Sequence, residues 1–178
     1  MYTGMGELVS LEWWTFTVRW AHVVSGVMWI GLLWYFNFVQ IPSMPKIPAE
    51  QRPAISKVIA PSALFWFRWA ALSTVVFGVL LAWMNGYIWE AALIGLGDTG
   101  TLGHTAIGFG MWLGLIMAAN VWFIIWPNQK RVLGMVQADD ASKASSARTA
   151  MLASRTNTLL SIPMLYFMVS AQSLYHIS

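Results

Sequence analysis

A chain of 178 residues that is 58% hydrophobic and only 10% charged, with a mean hydropathy of +0.60, lies outside the range of soluble domains. Its 10 basic and 7 acidic residues fall short of the quarter of charged positions that covers a water-facing surface, which excludes soluble enzymes and nucleic-acid-binding modules. The absence of cysteine excludes disulfides, iron–sulfur clusters, thiolate zinc sites and covalently attached c-type haem, so any metal must be held by His, Met or carboxylate.

The first apolar stretch runs from about Trp13 to Ile41 and is expected to stop at Pro42, in a run that also holds Pro45 and Pro48. The second runs from about Leu64 to Met84 and ends at the breaker pair Asn85-Gly86. The third, from about Leu102 to Trp126, ends at Pro127, and the fourth covers about Thr156 to Tyr175, with Pro163 expected to kink it. Each is long enough to cross a bilayer as a helix, which takes roughly 20 residues, and none alternates with the period of a strand. Between the third and fourth, the polar stretch from Gln137 to Ala150 reads as a loop or a short surface helix. The expected fold is an all-α membrane protein: a four-transmembrane-helix bundle forming one domain over residues 1–178.

Charge sets the expected orientation. Lys46, Arg52, Lys57 and Arg68 flank the first connection, and Lys130, Arg131, Lys143, Arg148 and Arg155 flank the third, leaving Arg19 alone elsewhere. The positive-inside rule makes that side cytoplasmic and puts both termini and the loop from Asn85 to Thr101 outside, in a bacterial inner membrane. Net charge is +3 with a pI near 9.5, read here as topology, with no nucleic-acid partner. Glu7 and Glu12 stand where a signal peptide carries Lys or Arg, so no cleavable leader is expected. Trp13, Trp14, Trp83, Trp89 and Trp126 fall where an interfacial aromatic belt belongs.

A faint internal repeat pairs Met28-Trp29-Ile30-Gly31-Leu32 with Met111-Trp112-Leu113-Gly114-Leu115, followed at the same offset by Asn37 and Asn120. It suggests two repeated helical hairpins. The pair Gly110 and Gly114 reads as a helix-packing device.

His22, His104 and His176 lie in the first, third and fourth stretches. Counted from the cytoplasmic ends at 1.5 Å per residue, all three stand at heights of about 28 to 33 Å. Gly26 and Gly108 each follow a histidine by four residues and so lie one turn deeper on the same face, where a missing side chain lets a flat macrocycle approach. His-x-x-x-Gly on two spans suits a b-type haem with His22 and His104 as axial ligands, His176 being an alternative ligand. Arg19, three residues before His22, is placed to pair with a haem propionate or an anionic substrate. The competing reading is structural: histidines and arginines near span ends snorkel, and glycines four apart pack helices.

Arg19-Trp20-Ala21-His22 with Gly26, Trp29, Ile30 and Gly31 resembles the first span of the membrane-bound urate oxidases (urate hydroxylase, PuuD type). So do Trp66-Phe67-Arg68-Trp69, the run from Ile116 through Asn120 and Pro127 to Val132, and Ile162 to Ser170. The resemblance implies a membrane domain that takes part in urate oxidation and passes electrons to a c-type cytochrome. The family has further spans where this chain has only the loop from Asn85 to Thr101, and a fused cytochrome domain that nothing in these residues matches. Ala171-Gln172 and Thr156-Asn157 also stand where the family tends to have Asn-His and His-Asn. The expected function is therefore a small membrane redox protein, with haem b as cofactor, the lipid bilayer as surroundings and a separate periplasmic c-type cytochrome as electron partner. Oxidation of urate itself is the family-level variant. The alternative is a cofactor-free structural or assembly subunit of a larger respiratory or photosynthetic complex.

Overall fold

The computed structural model describes residues 10–177; Glu7, one basis of the leader expectation, lies outside them. Every regular element among the described residues is helical. Four long helices dominate: α1 (Leu11–Lys46), α2 (Arg52–Met84), α4 (Leu102–Val132) and α5 (Asp140–Ser173), with a short α3 (Ile88–Ala92) in the outer loop.

The helix starts follow from side-chain caps. The Ser10 hydroxyl accepts from the Trp13 amide at 3.1 Å, the Thr101 hydroxyl from the His104 amide at 3.3 Å, and the Asp139 carboxylate from the Ser142 amide at 2.7 Å. Helix α2 ends where Asn85-Gly86 was expected to end it, with Gly86 at φ 77°, a conformation that costs glycine nothing.

The prolines do not stop the helices. Helix α1 runs on through Pro42 to Lys46, and α4 through Pro127 to Val132. In both, one π-helical segment comes just before the proline, Tyr35–Gln40 and Asn120–Ile125. The Ile41 amide reaches back to the Phe36 carbonyl and the Trp126 amide to the Val121 carbonyl. That wider turn relieves the clash a proline ring makes with the carbonyl four residues back. Both segments follow the repeated pentapeptides, and Asn37 and Asn120 lie in them, so the faint sequence repeat coincides with a shared backbone geometry.

Three helices, α1, α2 and α4, are long and apolar enough to cross a membrane. Helix α5 is the exception to the sequence expectation: the polar stretch after Gln137 and the fourth apolar stretch form one continuous helix of 34 residues, running through Pro163. It is less apolar because its inward side carries Ser154, Asn157, Ser161 and Ser170, all buried. These groups are hydrogen-bonded inside the protein and present no polar surface to lipid.

Helices α1 and α2 form one closely packed hairpin and α4 and α5 another; α2 meets α4 and α1 meets α5 along narrower seams. The main core lies toward the basic end, around Trp29, Leu33, Phe36, Phe67, Ala71, Met117, Val121 and Met164. A smaller cluster at the opposite, acidic end joins Ala82, Tyr87, Ala91, Ile107 and Ala171. Large apolar side chains such as Phe16, Val27, Phe123 and Leu159 point outward, as contact with a bilayer requires.

Candidate functional site

Above the main core the two hairpins separate and leave a partly open cavity of about 640 Å³. All four long helices line it, and its walls are overwhelmingly apolar. The polar groups that reach it come from few positions: Arg19 and His22 on α1, Tyr87 in the outer loop and Gln172 on α5 among them.

The His22 ring is held from one side. Its Nδ1 lies 2.8 Å from the Thr74 carbonyl oxygen of α2, and since a carbonyl only accepts, Nδ1 carries the proton and Nε2 keeps its lone pair. Gly78, one turn further along α2, makes room for the ring: a Cβ there would come within 2.9 Å of Cε1 and 3.1 Å of Nδ1. Gly26 lines the cavity, and a Cβ on it would make ordinary contact with Thr74 Cγ2 at 3.8 Å. Arg19 stands one turn toward the acidic end, exposed, at the junction of the cavity with a smaller crevice that Glu12 and Asn85 also line. Tyr87 is buried and closes that end; burial raises its phenol above the usual range, an effect that the charge of Arg19 opposes.

The residues of the second expected half do not line the cavity. His104 belongs to a capping box at the start of α4, its Nδ1 accepting from the Thr101 amide at 3.2 Å. That bond puts the ring proton on Nε2, and His104 is not among the residues lining the cavity. Nor does Gly108 line it. Its face is occupied by the Ala91 carbonyl and the Ile94 Cα of the outer loop, so this glycine serves close packing of α3. His176 is exposed near the end of the chain, at φ 48°. Arg19, His22 and Gly26 thus line one cavity; His104, Gly108 and His176 are not among its lining residues, although the His104 ring lies 6.2 Å from that of Tyr87, which does line it.

Several cavity residues were not singled out as site residues by the sequence. Gly78 is legible only as an isolated glycine within an apolar helix, a pattern that points to a close approach. Trp29 is 1% exposed and lines the cavity, and its indole N–H has no partner among the described residues. Gly114 lines the cavity as well, and a Cβ on it would meet nothing within 4 Å; Gly110 is the packing glycine, against Met168. Met111, Met164 and Met168 supply thioethers to the wall from α4 and α5.

No cluster of three His, Asp or Glu side chains that could hold a bare metal ion occurs among the described residues. A porphyrin makes a different demand, because it supplies four ligand nitrogens and needs the protein for the axial bond only. The residues present fit that demand: one imidazole oriented by a backbone carbonyl, a glycine clearing space for it, an apolar cavity and an arginine at its rim.

Fold and site together define an α-helical membrane protein with a cavity between two helical hairpins. Residues 103–177 match the family described as urate oxidase N-terminal, so α4, α5 and their connection are urate oxidase N-terminal-like. The match bears out the resemblance read from Ile116 to Val132 and from Ile162 to Ser170, and stops short of the hairpin that carries His22. No curated protein and no solved structure matches the chain.

Proposed function

We propose that the protein is a membrane redox protein that holds one b-type haem in the cavity between its hairpins, with His22 as axial ligand. The observation that carries this reading is the His22 geometry: Nδ1 bonded to the Thr74 carbonyl at 2.8 Å and Nε2 left with a lone pair beside an apolar cavity. Metal-ligating histidines characteristically donate their other ring N–H to such an oxygen. Arg19 stands where a propionate would need a counter-charge, and the apolar walls exclude water. A haem held there would carry single electrons. Met111, Met164 and Met168 line the same cavity, and a thioether from one of them would help His22 hold such a group; the capping bond of His104 argues against that histidine.

In this reading all four long helices cross the bacterial inner membrane, with α5 turning its buried serines and Asn157 inward. The basic end is cytoplasmic and both termini are periplasmic. The acidic end then presents Glu12 and Asp98 to the periplasm, suited to a basic c-type cytochrome as electron partner.

Detergent-purified protein from haem-replete cells should show a Soret band that shifts on dithionite reduction and is lost in His22→Ala. A colourless, folded preparation would sink the proposal and favour the cofactor-free subunit. Urate oxidation by this chain predicts urate loss in membranes that also contain a c-type cytochrome; loss no greater than in empty-vector membranes removes that variant.

A further inference from the structure

Away from the cavity, at the basic end, α2 and α4 meet through an arrangement that the redox reading leaves unused. The Arg68 guanidinium of α2 lies 3.7 Å from the centroid of the Trp126 ring of α4, with Phe65 of its own helix at 5.5 Å. Lys130, one turn beyond Trp126, places its ammonium 5.7 Å from the same indole. Two cations therefore share one aromatic platform across a helix seam.

Neither cation is neutralised. Among the described residues Arg68 and Lys130 make no ion pair and no side-chain hydrogen bond, and the one salt bridge present joins Lys143 to Asp140. With its Cζ 3.7 Å over the indole, the Arg68 guanidinium keeps N–H groups without a partner among the described residues, and such groups bind phosphate oxygens in pairs. The same end of the molecule carries Lys46, Arg52, Lys57, Arg131, Lys143, Arg148 and Arg155 against only Glu50, Asp139 and Asp140. Trp66, Trp69 and Trp126 mark the headgroup level on the two helices, with Trp69 edge-on to Trp122 at 5.6 Å across the seam. Arg155 supplies an internal control, because it lies in the second helix of its hairpin, as Arg68 does in the first hairpin, yet is exposed and stacks on no ring among the described residues.

We propose that the seam between Arg68, Trp126 and Lys130 is a binding site for the phosphate of an anionic phospholipid in the leaflet facing the basic end. The glycerophosphate group lies against the two cations, and the acyl chains run along the exposed faces of Trp69 and Phe123. The site is independent of any cofactor.

Native mass spectrometry of the full chain, released from detergent with phosphatidylglycerol or phosphatidylcholine, tests this directly. The wild type should retain phosphatidylglycerol in preference. Arg68→Gln and Lys130→Gln should each lower that retention about fivefold, the effect of one basic residue at a membrane surface. Lys130→Gln alters a partly exposed side chain and leaves the Arg68 stack in place, so it reads the site even if Arg68→Gln folds poorly. Arg155→Gln should change retention by less than twofold. Equal retention of both lipids, unchanged retention in Lys130→Gln, or an equal loss in Arg155→Gln would overturn the proposal, the last by showing a diffuse field in place of a site. Competition by millimolar inorganic phosphate equal to that by phosphatidylglycerol would overturn the lipid assignment.

Discussion

At the basic end α1, α4 and α5 are tied by side-chain bonds, Asn37 to Ser154 at 2.8 Å and Asn120 to Asn157 at 2.9 Å, whereas toward the acidic end the same helices part around a cavity of about 640 Å³. At the first end amide and hydroxyl side chains bridge separate helices, although Asn37 Oδ1, Gln40 Oε1 and Trp122 Nε1 are buried there without a partner. At the other, His22 is bonded across to a neighbouring helix, and it lines the cavity with Arg19 and Trp29. Unpartnered buried polar atoms occur at both ends, so what distinguishes the second is the space beside His22.

Substitutions should act differently at the two ends. The largest effect is expected for His22→Ala, which removes the oriented imidazole; the Soret band should vanish while the melting temperature of the cofactor-free protein stays close to wild type. A wild-type preparation without the band would erase the functional half of the contrast. Next comes Gly78→Ala. Its Cβ would fall 2.9 Å from His22 Cε1 and push the ring off the Thr74 carbonyl, and disturbing such an orienting contact costs roughly 10–100-fold in affinity. Haem titration of the apoprotein measures it. Gly26→Ala, with its Cβ at an ordinary 3.8 Å from Thr74, should change the same titration far less.

At the tied end, Asn157→Ala breaks the bond from Asn120 and the 2.9 Å bond to the Met117 carbonyl. Interhelical bonds in membrane proteins contribute about 0.6 kcal/mol each on average, and an orphaned partner adds to that, so a loss of ~1–2 kcal/mol is expected. Denaturation in mixed micelles reads it. Haem affinity should be preserved, since Asn157 is not part of the cavity wall.

How much of this was legible beforehand follows the same division. The apolar runs and the Asn85-Gly86 stop are local properties of the chain, and they specified the long helices and the end of α2. The prolines misled because a proline's effect depends on the turn before it, and no residue type announces a π-helical segment. Helix α5 was drawn too short because the polar stretch from Gln137 to Ala150 was set apart as a loop or short surface helix, and its burial of Ser146 and Ala150 depends on neighbours the sequence does not reveal. Within the site, Arg19, His22 and Gly26 were readable from one helical face. Thr74 and Gly78 were not, because their role comes from a neighbouring helix. Equal height along the helix axis favoured His104, but height fixes one coordinate only, and rotation about the axis decides which side a ring faces.

That rotation gives the smallest prediction and the most discriminating one. His104→Ala removes the acceptor for the Thr101 amide while the Thr101 hydroxyl still caps α4, so the expected cost is about 0.5–1 kcal/mol in stability. Its effect on the haem spectrum should be nil, because a ring that spends its Nδ1 lone pair on the Thr101 amide and lies off the cavity wall has no bond to lose there. A His104→Ala protein whose reduced spectrum becomes high-spin while His22 is intact would require α4 to turn its first helical turn inward when loaded, undoing the capping box. It would also move the site from a single anchored imidazole to a pair drawn together by the cofactor.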